Sequence, residues 1–316
     1  PHRTRIQAST YRPMTQNRTT AIILASGSGS RFGSETPKQF LKLAGKTVLE
    51  HTLDVFERHP QIDEIIVVVA ADNRVLTEEI ISNADYRKIT AVVNGGATRQ
   101  ASSAAGIGAV IGDDQKVLVH DAVRPLLDRA TISRCLDALD KHAAVDTAIP
   151  SPDTIIRINE DHLIAEVPDR SLLQLGQTPQ GFRAGLLRRA HALAATDTDL
   201  KVTDDCGLIL HYKLDSVHVV AGDVNNIKVT YPSDIYLADR LFQLRSRVQN
   251  PQEIADSLQD KVVVVFGASR GIGERITALA RNAKAHVVAV SRRQGIDVAD
   301  VDNVRKILTD AVQQYG

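Results

Sequence analysis

The chain has 316 residues, with 38 Lys plus Arg balanced by 38 Asp plus Glu. Zero formal charge argues against a protein that coats nucleic acid, and 43% hydrophobic with 24% charged residues argues against disorder over most of the length. The longest apolar runs, at 65–71 and 262–266, fall far short of the roughly 20 residues that a membrane-spanning helix needs.

The length suits about two domains. Residues 1–19 are polar, carry four arginines and read as a tag remnant or disordered tail. From there, short β-branched runs alternate with amphipathic stretches. Strands are expected at 21–25, 65–71, 90–93, 116–120 and 145–150, and helices at 48–58, 74–82, 99–110 and 131–142. This alternation predicts an α/β fold: a Rossmann-like, mostly parallel sheet with helices on both faces and ligands at the carboxyl ends of the strands. Over 151–180 the pattern weakens. Residues 155–158 and 163–167, around a turn at 159–162, read as a projecting β-arm of the kind that mediates homodimers. A helix at 186–195, a strand at 216–221 and a long closing helix at 232–248 complete a domain over 20–247. Asn250-Pro251-Gln252 breaks the pattern, and 248–259 reads as a linker. A strand at 261–266, a glycine-rich turn, a helix at 274–282 and a strand at 286–290 then restart a βαβ pattern. Residues 260–316 are too few for a complete nucleotide-binding domain. Cys135 and Cys206 read as free thiols of a reducing, cytoplasmic compartment.

The first strand runs into Leu24-Ala25-Ser26-Gly27-Ser28-Gly29-Ser30-Arg31, followed by Pro37-Lys38-Gln39. Glycines let backbone N–H groups approach a phosphate closely, and Arg31 and Lys38 add cations suited to a triphosphate. The Gly-Lys-Ser/Thr ending of a Walker loop is absent. Four more motifs follow in order: Gly95-Gly96-Ala97-Thr98-Arg99, His120-Asp121-Ala122-Val123-Arg124-Pro125, Gln177-Thr178-Pro179-Gln180 and Asn226-Ile227-Lys228-Val229-Thr230. Together the five make residues 20–245 resemble the sugar-phosphate and polyol-phosphate cytidylyltransferases, the group that holds the methylerythritol-phosphate and ribitol-phosphate enzymes.

The resemblance implies that CTP and a phosphorylated polyol give a CDP-polyol and pyrophosphate. It implies a nucleotide site at Ala25, Ser26, Gly27, Ser28, Gly29, Gly95, Gly96, Arg99 and Ser102. Arg31, Lys38 and Lys228 match the cations around the α-phosphate and the transition state, and Asp121 matches the carboxylate that holds Mg²⁺. Thr154 and Arg170 match residues that grip the acceptor phosphate from the partner's arm of a homodimer. Arg124 is placed with the acceptor, an ion pair to Asp121 being the alternative. Gln177 can donate to and accept from a polyol hydroxyl. His120 reads as a core histidine bonded to backbone, and Thr203-Asp204-Asp205-Cys206 as a helix cap. Methylerythritol enzymes commonly carry Asp where this chain has Asn225, which leaves Asp223 as the candidate second metal contact. The motif around Asp121, Ala144-Val145-Asp146-Thr147, the run at 176–180 and Asn225-Asn226 lean toward the ribitol-phosphate branch, with methylerythritol phosphate as the alternative acceptor.

Val265-Phe266-Gly267-Ala268-Ser269-Arg270-Gly271-Ile272-Gly273 has Gly-x-x-x-Gly-x-Gly spacing and resembles the start of a short-chain dehydrogenase. Glycines that follow an apolar strand and open a helix suit a dinucleotide pyrophosphate. Gly267, Ser269, Gly271, Ile272 and Gly273 are expected at the cofactor, with Asp297 on its adenine side. Arg270, Arg292 and Arg293 suit a 2′-phosphate and hence NADP. The Tyr-x-x-x-Lys pair of that family is missing from 260–316. The expectation is a longer native protein, similar to bifunctional enzymes that reduce ribulose 5-phosphate and attach CMP to the ribitol 5-phosphate formed. A chain whose main activity is reduction would need the missing pair. A CTP-binding module without catalysis would need no second cation at the α-phosphate.

Overall fold

Residues 21–25 are apolar without interruption, and in the computed structural model all of Thr19–Ala25 is buried as β1, inside an eight-stranded sheet. The structure describes residues 18–27, 36–247, 258–294 and 296–315; residues 1–17 of the expected tail, most of the glycine loop at 28–35 and the linker core at 248–257 lie outside the described residues, while Thr19, expected in the tail, is the buried first residue of β1. After β1, a small hairpin of β2 (Lys42–Leu43) and β3 (Lys46–Thr47) leads into α1 (Val48–Glu57). Thr47 and Glu50 start that helix with a reciprocal capping box. Next come β4 (Glu64–Val69), α2 (Arg74–Ser82), β5 (Ile89–Asn94), α3 (Arg99–Gly108), β6 (Lys116–Asp121), α4 (Arg129–Ala138) and β7 (Ala144–Pro150), close to the expected bounds. β4 and β6 flank β1 in parallel, and β5 lies parallel beyond β4. Parallel order brings Ala25, Asn94 and Asp121 to the same edge of the sheet.

The arm is present as β8 (Arg157–Ile158) and β9 (Ile164–Glu166), an exposed antiparallel pair. Two strands that the sequence pattern does not announce follow it. β10 (Gln174–Gly176) runs antiparallel to the end of β7, and β11 (Gln180–Arg183) is antiparallel to both β6 and β7. The sheet is therefore mixed, though mostly parallel. α5 (Ala184–Ala194), α6 (Asp205–His211) and β12 (His218–Ala221), parallel to β7, precede α7 (Pro232–Arg247). Side chains of β1 alternate between two cores. Ala21, Ile23 and Ala25 join Leu53 and Phe56 of α1 and Leu136 of α4; Ile22 and Leu24 join Ile107 of α3, Leu187 of α5 and Leu208 of α6. Among the described residues no helix is long and apolar enough to cross a membrane.

The chain divides into two compact units between Phe242 and Gln243. In the second, strands Val262–Phe266 and His286–Val290 pair in parallel through the helix Gly271–Asn282. That helix starts three residues ahead of the expected 274, at the second motif glycine. Gly267 has φ +81°, and a Cβ on Gly273 would lie 2.2 Å from the Gly267 carbonyl oxygen, so this strand-to-helix turn needs both glycines. A further helix, Val301–Tyr315, has no counterpart in the sequence expectations.

Helix α3 approaches the sheet at Gly106, where a Cβ would sit 2.4 Å from Ile22 Cγ2 and 3.0 Å from Val68 Cγ2. In an exposed helix, Gly→Ala stabilises by about 1 kcal/mol. Here overpacking reverses the sign, and Gly106→Ala is expected to lower the unfolding free energy by about 1–3 kcal/mol, read by urea denaturation.

Candidate active site

A cavity of about 600 Å³ opens where β1 and β6 end. It brings together eight of the residues expected from the sequence: Ala25, Ser26, Gly27, Lys38, Gly96, Arg99, Asp121 and Lys228. It also takes in Leu24, Gln39, Ala97, Thr98, Val123 and Thr203, which the site expectations omit. Gln39 and Thr98 do sit inside recognised motifs; Thr203 carried only a capping signal.

Each wall has a local cause. Buried Gln39 donates its side-chain amide to the Ala25 carbonyl at 2.8 Å and fixes the start of the glycine loop. Thr98 caps α3 by accepting from the Ala101 amide. A Cβ at Gly95 would fall 2.7 Å from Ser26 Cβ, so glycine is what lets these two loops touch. Ser26 Oγ donates to Ser102 Oγ at 2.7 Å, and Ser102 donates to the Thr98 carbonyl at 2.9 Å. Gly95 and Ser102 thus brace the wall without lining it.

Asp121 ends β6 and is buried. Lys228 Nζ lies 2.7 Å from its Oδ2, and Arg99 Nε 3.4 Å from its Oδ1. Burial alone would raise this carboxyl's pKa, but Arg99, Lys228 and Arg124 outweigh it and hold the group well below the usual carboxylate range. Burial likewise opposes the charge of Arg99, and Asp205 with Asp121 reverses that and holds the guanidinium firmly protonated. Lys228 is aimed by its neighbours. The Val229 amide donates to the Val123 carbonyl at 2.8 Å, and fully buried Asn226 donates Nδ2 to the Thr178 carbonyl at 2.8 Å.

Other expected residues lie elsewhere. Arg124 donates Nη1 to the Asn226 carbonyl at 2.8 Å, so the alternative of a direct ion pair with Asp121 gives way to a brace on the Lys228 loop. Gln177 is buried, with Nε2 donating to the Asp223 carbonyl at 2.9 Å and Oε1 accepting from Asn226 at 3.3 Å. Both ends of its amide are engaged inside the protein, and it does not line the cavity. Thr154 and Arg170 are exposed on the arm, where Arg170 Nη1 donates to the Pro152 carbonyl at 3.2 Å. Asp223 accepts from the Asn225 amide at 2.7 Å, and neither residue lines the cavity. Among the described residues Asp121 is the one carboxylate on its wall, and no group of three His, Cys, Asp or Glu is placed to hold a metal. Ser28, Gly29 and Arg31 lie outside the described residues. His120 is a core histidine, with Thr178 Oγ1 2.9 Å from Nδ1 and the Arg124 carbonyl accepting from Nε2 at 3.2 Å; burial lowers its pKa to about 4. In the second unit Gly267, Ser269, Arg270, Gly271, Ile272 and Gly273 form the strand-to-helix turn, and exposed Arg292 lies 4.0 Å from Asp297.

A family model described as IspD, 2-C-methyl-D-erythritol 4-phosphate cytidylyltransferase, matches residues 19–244. The chain belongs to this family. IspD proteins are CTP-dependent cytidylyltransferases, so the chain is a nucleotidyltransferase. A bifunctional ribulose 5-phosphate reductase/CDP-ribitol pyrophosphorylase, Bcs1, of Haemophilus influenzae is 40% identical over 306 residues, 94% of this chain; the chain spans 64% of that protein's length. The 2-C-methyl-D-erythritol 4-phosphate cytidylyltransferase of Thermobifida fusca is 43% identical over 233 residues, 72% of this chain and 94% of that one. The crystal structure of 4-diphosphocytidyl-2C-methyl-D-erythritol synthase from Anaerococcus prevotii superposes with a TM-score of 0.65 at 33% identity, covering 72% of this chain and 97% of its own.

Next to the IspD cavity, Gln180 Nε2 donates to two carboxylates, Asp146 at 3.0 Å and Asp204 at 2.8 Å. Burial raises the Asp146 pKa to about 6, Asp204 adds to the rise, and the Gln180 hydrogen bond only partly offsets it. From about pH 4 to 6 the folded protein therefore binds more protons at Asp146 than the unfolded chain, and stability falls as pH rises through that window. Asp146→Asn removes this loss. It is expected to stabilise the protein by about 2 kcal/mol at pH 8 and not at pH 4, measured by denaturant titration at both.

Proposed function

We propose that this chain transfers CMP from CTP to D-ribitol 5-phosphate, giving CDP-ribitol and pyrophosphate. The observation that carries the acceptor is the extent of the likeness to the Haemophilus influenzae bifunctional protein. It covers 94% of this chain, beyond the IspD match that ends at 244 and into the second unit.

In this reading an oxygen of the acceptor phosphate forms a bond to the α-phosphorus of CTP. The bond from that phosphorus to the oxygen bridging the β-phosphate breaks, and pyrophosphate leaves with the electron pair. The attacking oxygen is already anionic, so no residue has to remove a proton. What remains is alignment and repulsion between anions, which fixed cations lower. Lys38 and Lys228 line the cavity for this purpose, with Arg31 as a third cation, and the start of α3 offers backbone amides to the triphosphate. The donor set fits a magnesium ion that arrives with the nucleotide, because Asp121 supplies one carboxylate and Mg²⁺ sites commonly combine one or two carboxylates with substrate phosphates. When bound, the ion would neutralise phosphate charge. Asp121 would have to share its oxygens between the metal and Lys228.

The homodimer reading rests on the arm. Ile156, Ile158, Leu163, Ile164 and Val167 are exposed there, an apolar surface that a second copy would cover, with Thr154 and Arg170 carried beside it toward the partner's acceptor phosphate. The second unit is read as the start of an NADP-binding short-chain dehydrogenase domain, supported by its glycine turn and by Arg292 and Arg293 after the second strand. Ribulose 5-phosphate reduction would then belong to the whole longer protein. The compartment is read as the cytoplasm, in keeping with two buried free cysteines. Methylerythritol 4-phosphate is the second acceptor reading, favoured by the 43% identity to the Thermobifida fusca enzyme.

Pyrophosphate release from CTP and Mg²⁺ separates the two acceptors. Ribitol 5-phosphate is expected to exceed methylerythritol 4-phosphate by at least about 100-fold in kcat/KM, the margin a site built for one hydroxyl pattern gives. The opposite preference overturns the acceptor. In the same assay Lys38→Ala is expected to lower kcat by about 10²–10³ with an unchanged unfolding midpoint; wild-type turnover would remove Lys38 from the mechanism.

A further inference from the structure

Asp205 is the first residue of α6 and is fully buried, yet it does not cap the helix. Asp204 does that, accepting from the Gly207 amide at 2.8 Å. Both oxygens of Asp205 are committed to other helices. Oδ2 accepts from Arg99 Nη1 at 2.8 Å, and Oδ1 accepts from His191 Nε2 at 3.0 Å. Gln100 Nε2 lies 3.2 Å from His191 Nδ1, so with the Nε2 proton directed at Asp205 the other ring nitrogen accepts. Burial would raise the Asp205 pKa, but the His191 hydrogen bond and the Arg99 charge outweigh it and keep the group ionised. A continuous polar chain thus runs from Gln100 through His191, Asp205 and Arg99 to Asp121. Arg99 Nη2, at its centre, is buried and has no partner among the described residues.

A buried ion pair is a poor device for stability, since desolvation cancels most of the Coulombic attraction. Leu208 and Ile209 on the same helix sit in the apolar core, where a hydrophobic residue at 205 would also find neighbours. What the pair supplies is orientation. With Nη1 tied to Asp205 and Nε turned to Asp121, the guanidinium plane is fixed and one donor is left over on a side chain that lines the cavity.

We propose that Asp205 is a positioning residue for nucleotide binding: it holds the Arg99 guanidinium in the cavity wall so that its charge faces the polyphosphate of the nucleotide, and His191 holds Asp205 in turn. This rests on the nucleotidyl-transfer reading above. Lys38 and Lys228 also line the wall, so the loss of Asp205 should loosen Arg99 without emptying the site of positive charge.

The test is CTP affinity of the full chain by calorimetry, with no acceptor present. Asp205→Asn keeps the shape and removes the charge, and is expected to raise the Kd for CTP about tenfold. Arg99→Gln is expected to raise it at least as much, and the double variant no further than Arg99→Gln alone, the signature of two residues acting through one contact. His191→Gln leaves Asp205 and Arg99 in place and is expected to raise Kd about threefold, again only when Arg99 is present; it carries the test if Asp205→Asn does not fold. A wild-type Kd in the folded Asp205 or His191 variant, or an effect that adds in full to that of Arg99→Gln, overturns the proposal. Wild-type chain that fails to bind CTP overturns the transfer reading, and this one with it, which is a different result.

Discussion

A negative charge at Asp121, at the end of a strand and nearly cut off from water, is the constraint that organises this molecule. Such a charge is costly unless cations and hydrogen bonds surround it. They come from separate parts of the chain. Arg99 comes from the first turn of α3 and Lys228 from the loop ahead of α7, and the Asp121 amide is held by Thr178 Oγ1 at 3.2 Å. Each supplier is fixed by its own contacts, Asn226 on Thr178 and Arg124 on Asn226 among them. The cavity is what lies between these anchored groups.

The sheet gives the arrangement its stiffness. Two apolar cores share β1, one on each face, so neither the Ala25 loop nor the Asp121 end can shift without disturbing packed side chains on both sides. Polar side chains extend this rigidity past the strand ends. Gln39 clamps the Ala25 carbonyl, Thr52 donates to the Ala122 carbonyl at 2.8 Å, and Thr178 bonds His120. Groups held this way need little rearrangement when charge develops on a ligand, which is the physical basis of electrostatic preorganisation.

How much of this was legible in the sequence depends on where each residue's partner lies along the chain. β4 holds a continuous β-branched run, β1, β6 and β7 are short stretches with Val, Ile or Thr at about every second position or more, and their order points to a mostly parallel sheet. β10 and β11 are not legible, because Gln, Gly and Pro give no strand signal and the pairing with β6 and β7 is purely tertiary. Asp121, Lys38 and Lys228 stand in recognisable motifs and do meet at the cavity. Arg124 stands three residues from Asp121, and proximity suggested an ion pair; its guanidinium instead crosses to Asn226. Asp205 looked like part of a cap because an acid beside Asp204 suits a helix start, and nothing local announces a partner 106 residues away. Thr203 reaches the cavity for the same non-local reason.

The arm leaves the sheet at the end of β7 and returns at β10, and those two strands are hydrogen-bonded neighbours whose ladder continues into the base of the arm, where the Ser151 amide meets the Leu173 carbonyl at 3.2 Å. An excursion that departs from and rejoins adjacent strands is a cassette. Recombination between relatives at those two points would exchange everything the arm carries, Thr154 and Arg170 included, while leaving β1, β6 and their cavity untouched.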